Sequence, residues 1–203
     1  MKPFSLTQRF DDELELDGVT YKLDLAFDNV LRIFELFGDE EFHPIERIAL
    51  ACELFIGENQ LDLETKDKVV YHVFLDFLDI DIREKSDPNV NTEKFYDLYE
   101  DAERIYASFI KEYDIDLFEQ HGKLHFIKFR ALLSMAIDRD FKEVVGIRAQ
   151  KVPAPTKYNK EDREHTLKLK RIYKLKGIED PDLIEQRVEN GWNKLANFFR
   201  PSK

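Results

Sequence analysis

His121 and His125 stand four residues apart, with Glu119 beside them. On a continuous helix that spacing sets two imidazoles on one face, where they would hold a divalent metal. Gly122 falls between them at what reads as a helix start, and no third ligand at suitable spacing accompanies them. The simpler reading makes His125 a helix-face residue beside Phe126. Carboxylate pairs are the second candidate, as general acid and base. With 42 Asp and Glu among 203 residues, some pair meets any required spacing, so the pattern singles out none. The run DIDIREKSDPN lacks the central glycine and the final glutamate of a calcium loop. Cys52, the single cysteine, lies in the apolar run IERIALACELFI, which points to a buried thiol rather than a nucleophile. No GxGxxG or GxxxxGK[ST] phosphate loop, GxSxG elbow or CxxC pair occurs. No catalytic residue, metal ligand set or cofactor is therefore assigned, and a non-enzymatic role is expected.

Two other groups have the chemistry of binding. Arg148, Lys151 and Lys157 form a basic knot in VVGIRAQKVPAPTKYNKEDREH, and the basic region extends from Lys142 to Lys176. Glu143, Glu161, Asp162 and Glu164 dilute it, and the whole chain carries −11. Nucleic acid is accordingly not expected as a partner; an acidic protein surface, or the acidic half of another copy, fits better. Near the C-terminus, WNKLANFFR places Trp192, Leu195, Phe198 and Phe199 close together. Such side chains either close their own core, the favoured reading, or sit in a partner's groove. The candidate partner-binding residues are Arg148, Lys151, Lys157, Trp192, Leu195 and Phe199.

Charge divides the chain. Residues 1–119 hold 31 acidic and 12 basic side chains, a balance of −19, and residues 120–203 hold 11 and 19, a balance of +8. This asymmetry suggests two functional regions, or halves that attract each other within or between copies. No run approaches the ~18 apolar residues of a membrane span. The N-terminal MKPFSLTQRFDDE has no signal-peptide core, and one cysteine fits a reducing compartment. A cytoplasmic protein is expected.

The elements that must carry these residues begin with a hairpin. DDELEL and VTYKLDLAF alternate around Asp17-Gly18. Leu14 and Leu16 share one face of the first arm; Val19, Tyr21, Leu23 and Leu25 share one of the second. Helices are predicted after Asp28 as a cap, to Gly38; from His43-Pro44 to Gly57; and after Thr65. Further helices are predicted after Thr92, from about Glu93 to Tyr113, from Lys123 to about Ala136, and from Phe141 to about Gln150. A basic helix follows from Lys160 to Lys176 and a last one from Pro181 to Phe199. The fold class is mainly α (α+β): an N-terminal β-hairpin followed by a bundle of about six to eight helices. The expected division is a hairpin-plus-helices core over 1–150, a Pro-containing basic connector over 151–158 and a helical pair over 159–203. Pro153 and Pro155 are expected to hold the connector extended and project the basic helix from an acidic body.

Three ordered segments resemble a known family. They are GVTYKLDLAFDNVLRIFEL; IYASFIKEYDIDLFEQHGKLHFIKFRALLSMAID, with Ile-Asp-Leu and then Leu-His-aromatic-x-x-Phe; and VVGIRAQKVPAPTKYN, with Ile-Arg-x-x-x-x-Pro. They resemble the "gene product fifteen" family of long-tailed bacteriophages and prophages of Gram-positive bacteria. Asp114 stands where that family usually has Gly, and Phe126 where it often has Trp. The resemblance implies a tail assembly chaperone that coats the tape measure protein, keeps it soluble and extended, and is displaced as the tail tube polymerises. It implies the host cytoplasm as location, absence from the mature virion, self-association into multimers and a companion chaperone as a further partner. The alternatives are a structural virion or tail-connector component and a nucleic-acid-binding regulator.

Overall fold

Asp17 and Gly18 take left-handed backbone, φ 51° and 78°, the two positive values that a tight type I′ hairpin turn requires. They join β1 (Glu13–Leu16) to β2 (Val19–Lys22), antiparallel, with Leu14 opposite Tyr21 and Leu16 opposite Val19. The expected apolar side chains thus share one face. Leu14, Leu23 and Leu25 are buried, while Val19 at the tip is exposed.

In this computed structural model the described residues are 6, 7, 10, 12–83, 95–139, 141–153, 156 and 158–175, with 137–139 described in backbone only. Helix α1 (Phe27–Gly38) buries Val30, Ile33 and Phe37 at three- and four-residue steps. Asp28, expected to cap it, lies inside its first turn, and its Oδ1 instead accepts the Gly122 N–H at 2.9 Å. Helix α2 (Pro44–Ile56) starts as expected. The His43 imidazole accepts the Ile45 N–H, and the Glu46 carboxylate accepts the His43 N–H. Gly57, at φ 81°, ends it.

Helix α3 (Leu63–His72) is capped by Asp62 rather than Thr65, because the Thr65 N–H and hydroxyl both donate to the Asp62 carboxylate. It runs into one π turn, Val73–Phe77, closed by the Leu78 N–H on the Val73 carbonyl at 3.1 Å. The widened turn lets Val73, Phe74 and Leu78 all face the core. The Phe74 ring lies 6.0 Å from Phe34, 5.7 Å from Phe37 and 5.8 Å from Phe55.

Buried polar side chains tie these helices together. Arg47 donates to the carbonyls of Phe42 and Phe37, satisfying a group at the end of α1 that has no partner within its helix. Asn29 Nδ2 donates to the Asp24 carbonyl at 3.0 Å and to the Leu54 carbonyl, near the end of α2, at 2.7 Å. Asn29→Ala leaves both carbonyls short of a donor, and urea unfolding should show a loss of about 1–3 kcal/mol. Cys52 is buried among these helices, and burial pushes its thiol up to about 11, so it stays protonated and unreactive at neutral pH.

Helix α4 (Ala102–Tyr113) begins later than the apolar stripe alone predicts. Ahead of it the Asp97 carboxylate accepts the N–H groups of Tyr99 and Glu100, an Asx turn that keeps those residues out of the helix. Thr92 lies outside the described residues. A 3₁₀ turn (Phe118–Gln120) leads to α5 (Phe126–Arg139), α6 (Lys142–Ala149) and α7 (Lys160–Ile172). A hairpin followed by seven α-helices, among the described residues, is the expected fold class. The helix predicted over 181–199 lies outside them.

The chain forms two compact units. Among the described residues, one holds those up to 83 together with 121–129, and the other holds 95–120 together with 130–175. Among the described residues, no helix is long and apolar enough to cross a membrane.

Candidate functional site

The residues of the quoted segments meet inside each unit. In the first, the short stretch after β2 and the stretch before α5 lie side by side. The Phe27 N–H donates to the Leu124 carbonyl, and the Phe126 N–H to the Leu25 carbonyl, each at 2.8 Å, with Ala26 and His125 bridged antiparallel between them. Phe27 stacks on Phe129 at 4.9 Å, and Phe34 meets Phe126 edge-on at 5.7 Å. The Leu-His-aromatic-x-x-Phe pattern is therefore a packing device: Phe126 and Phe129 enter the core and the backbone pairs.

His125 has a defined place in that device. Its Nδ1 accepts the Ile127 N–H at 3.1 Å, capping α5, and its Nε2 donates to Asp12 Oδ1 at 3.1 Å. Phe10 stacks on its ring at 4.5 Å. Burial pushes the imidazole below its ordinary range, against the pull of Asp12 and with the help of the Lys128 charge. Both ring nitrogens are thus engaged by protein groups. His121 instead lies against the Phe27 ring at 5.7 Å. Among the described residues no group of three or more His, Cys, Asp or Glu is placed to hold a metal.

In the second unit the central group is an ion pair. Arg148 Nη1 lies 2.6 Å from Asp101 Oδ2 and Nη2 lies 2.9 Å from Oδ1, a bidentate pair with 8% and 0% of the two side chains exposed. Arg148 also donates from Nη1 to the Phe95 carbonyl at 3.0 Å and from Nε to the Tyr173 carbonyl at 2.7 Å. Its own carbonyl accepts from Lys170 Nζ at 2.8 Å. Asp101 further accepts from Arg104 Nη1 and the Asp97 N–H. Burial pushes the Asp101 carboxyl up. The hydrogen bonds from Arg148 and Asp97 and the charges of Arg148 and Arg104 outweigh it and hold the group below the usual carboxylate range. One guanidinium thereby fastens the stretch before α4, helix α6 and the end of α7 together.

Of the residues expected to face a partner, Arg148 thus has only 8% of its side chain exposed and directs Nε, Nη1 and Nη2 to groups inside the unit. Lys151 is exposed beyond the end of α6. Lys157, Trp192, Leu195 and Phe199 lie outside the described residues. The basic helix is not projected from its unit: α7 lies on α6 through the Lys170 and Arg148 bonds, and Arg163 donates back to the Pro153 carbonyl at 3.2 Å. Asp101 was not distinguishable among so many carboxylates. Arg148 follows Val144 and Val145 at helical spacing, the one available sign that it shares their inward side.

Asp114 takes left-handed backbone, φ 54°, at the end of α4. The Asp114 N–H donates to the Ile110 carbonyl at 3.0 Å, the bond of an αL helix ending, and the Ile115 N–H reaches the Phe109 carbonyl at 3.3 Å. This position favours Gly, and Asp is among the residues that tolerate it. Beyond it the Asp116 carboxylate accepts the Phe118 N–H at 2.9 Å and the Tyr106 hydroxyl at 3.3 Å. The Phe118 ring sits 5.3 Å from Tyr106 and is 69% exposed, and Ile110 is exposed beside them in sequence along α4. Exposed apolar side chains that lie together are a candidate contact surface, whereas single ones are ordinary.

The model of a family described as Bacteriophage Gp15 protein matches residues 6–175. No curated protein and no solved structure matches the chain.

Proposed function

The chain belongs to the bacteriophage Gp15 protein family, and on that premise we propose that it is a tail assembly chaperone for the tape measure protein. It binds that long, largely helical client in many copies, keeps it soluble and extended, and leaves as tail-tube subunits polymerise. It works in the host cytoplasm, is absent from the finished virion and performs no catalysis. The observation that supports this reading is the set of large apolar side chains exposed among charged ones: Phe42 and Leu50 in the first unit, Ile110 and Phe118 in the second. Isolated apolar contacts of this kind give weak individual grip and easy release. Many copies along one client supply avidity, and an excess of negative charge keeps the coated client dispersed.

Co-expression with the tape measure protein of the same phage or prophage tests the proposal. The client should move to the soluble fraction and elute with several copies of this chain on size exclusion with light scattering, and the chain should be missing from purified virions. An insoluble client with this chain eluting alone overturns the chaperone reading. Recovery of the chain from virions replaces it with a structural one.

A further inference from the structure

Helix α4 presents Glu103, Tyr106, Ala107 and Ile110 on one side at helical spacing, and Phe118 lies against Tyr106. Its exposed apolar side chains are Ile110, 39% exposed and one turn beyond Tyr106 on α4, and Phe118, 69% exposed against Tyr106. Glu103, Asp114 and Glu119, all exposed, give it an acidic rim. The Arg148–Asp101 pair stands at the opposite end of α4, about 13 Å away at 1.5 Å per residue.

The end of α7 carries the complementary chemistry. Lys168, Arg171 and Ile172 share one face, Ile172 is 60% exposed, and Lys174 follows just past the helix. The bonds from Lys170 to the Arg148 carbonyl and from Arg148 to the Tyr173 carbonyl tie these two turns to α6, which lowers the ordering cost of binding a partner.

We propose that the acid-rimmed strip of Tyr106, Ile110 and Phe118 receives the last two turns of α7 from a second copy of the chain. Ile172 enters the apolar centre, and Lys168 and Arg171 meet Glu103 and Glu119 at the rim. The two patches differ, so the contact is heterologous and propagates from copy to copy, into a ring if the rotation closes and an open array if it does not. This inference does not depend on the identity of the client.

Sedimentation velocity on the full chain tests it. In about 50 mM salt the mean mass should rise with protein concentration, and in about 0.5 M salt it should fall toward the monomer, because the rim charges are screened. Lys168→Glu/Arg171→Glu should weaken association about tenfold or more, and so should Glu103→Lys/Glu119→Lys. Mixing the two double variants should restore assembly, since each then offers the charge the other lacks. A wild-type chain that stays monomeric overturns the proposal, as does an assembly indifferent to these charges or a mixture that stays dissociated. Circular dichroism melts check each variant's fold. Where a double variant melts early, Ile172→Ser, which changes one exposed side chain, takes its place: undiminished assembly overturns the proposal.

Discussion

Arg148→Met should lower the unfolding free energy of the second unit by about 3–5 kcal/mol, the scale for breaking a buried, hydrogen-bonded ion pair from one side. The substitution keeps the length of the side chain and removes every bond that joins Asp101, the Phe95 carbonyl and the Tyr173 carbonyl. A carboxylate with none of its surface exposed is left with Arg104 and one backbone N–H. Asp101→Asn strands the guanidinium instead and should fall in the same range. The double variant should be less destabilised than the sum of the two by about 1–3 kcal/mol, because the pair acts as one group. Urea titrations of the four proteins close this cycle; strict additivity would show that the pair is not coupled.

The same pair sets an acid limit. A carboxyl held below its ordinary value contributes stability in full above the unfolded value, about 3.9 for Asp, and loses it as pH falls through the folded value. The wild-type second unit should therefore weaken below about pH 4, and Asp101→Asn should lack that part of the slope.

The second large effect belongs to the first unit. Phe74→Ala should cost about 3–5 kcal/mol, through lost burial and an unfilled cavity. Phe74 is wholly buried in the π turn and touches the rings of Phe34, Phe37 and Phe55. Three helical segments converge on it, so the void cannot close by moving one of them. Phe74→Leu should recover part of the loss. Thermal unfolding followed by far-ultraviolet circular dichroism measures both, and an unchanged midpoint for Phe74→Ala would remove this ring from the centre of the core.

Local chemistry was legible where neighbours in sequence do the work. Asp17-Gly18 specifies its turn, and His43-Pro44 and Gly57 bracket α2, because a cap or a tight turn is settled within a few residues. Reading failed where the deciding partner is distant. Asp28 looks like a cap, but Gly122 claims its carboxylate. Arg148 looks like surface charge, but Asp101 lies 47 residues away. Thr65 is a local exception: it has the right side chain for a cap, yet Asp62 three residues earlier takes that place by accepting two of its hydrogen bonds. The π turn has no clear signature in sequence, since it inserts one residue into an otherwise ordinary apolar periodicity. The family pattern marked residues that hold the fold; the surface proposed for contact with other molecules had to be read from exposure.

The order in which the chain threads its first unit has a consequence for synthesis. Asp28 waits for the amide of a residue 94 positions downstream, and Phe27 and Leu25 wait for the backbone of the stretch beside it. At roughly 5–20 residues per second, a ribosome needs about 5–20 s to deliver that stretch after α1 has emerged. During that interval Phe27 lacks the His121 and Phe129 rings and Phe34 lacks the Phe126 ring that they meet in the finished unit. A gene fragment ending before residue 121 should consequently yield a sticky, incompletely closed first unit, however complete its hairpin and first three helices are.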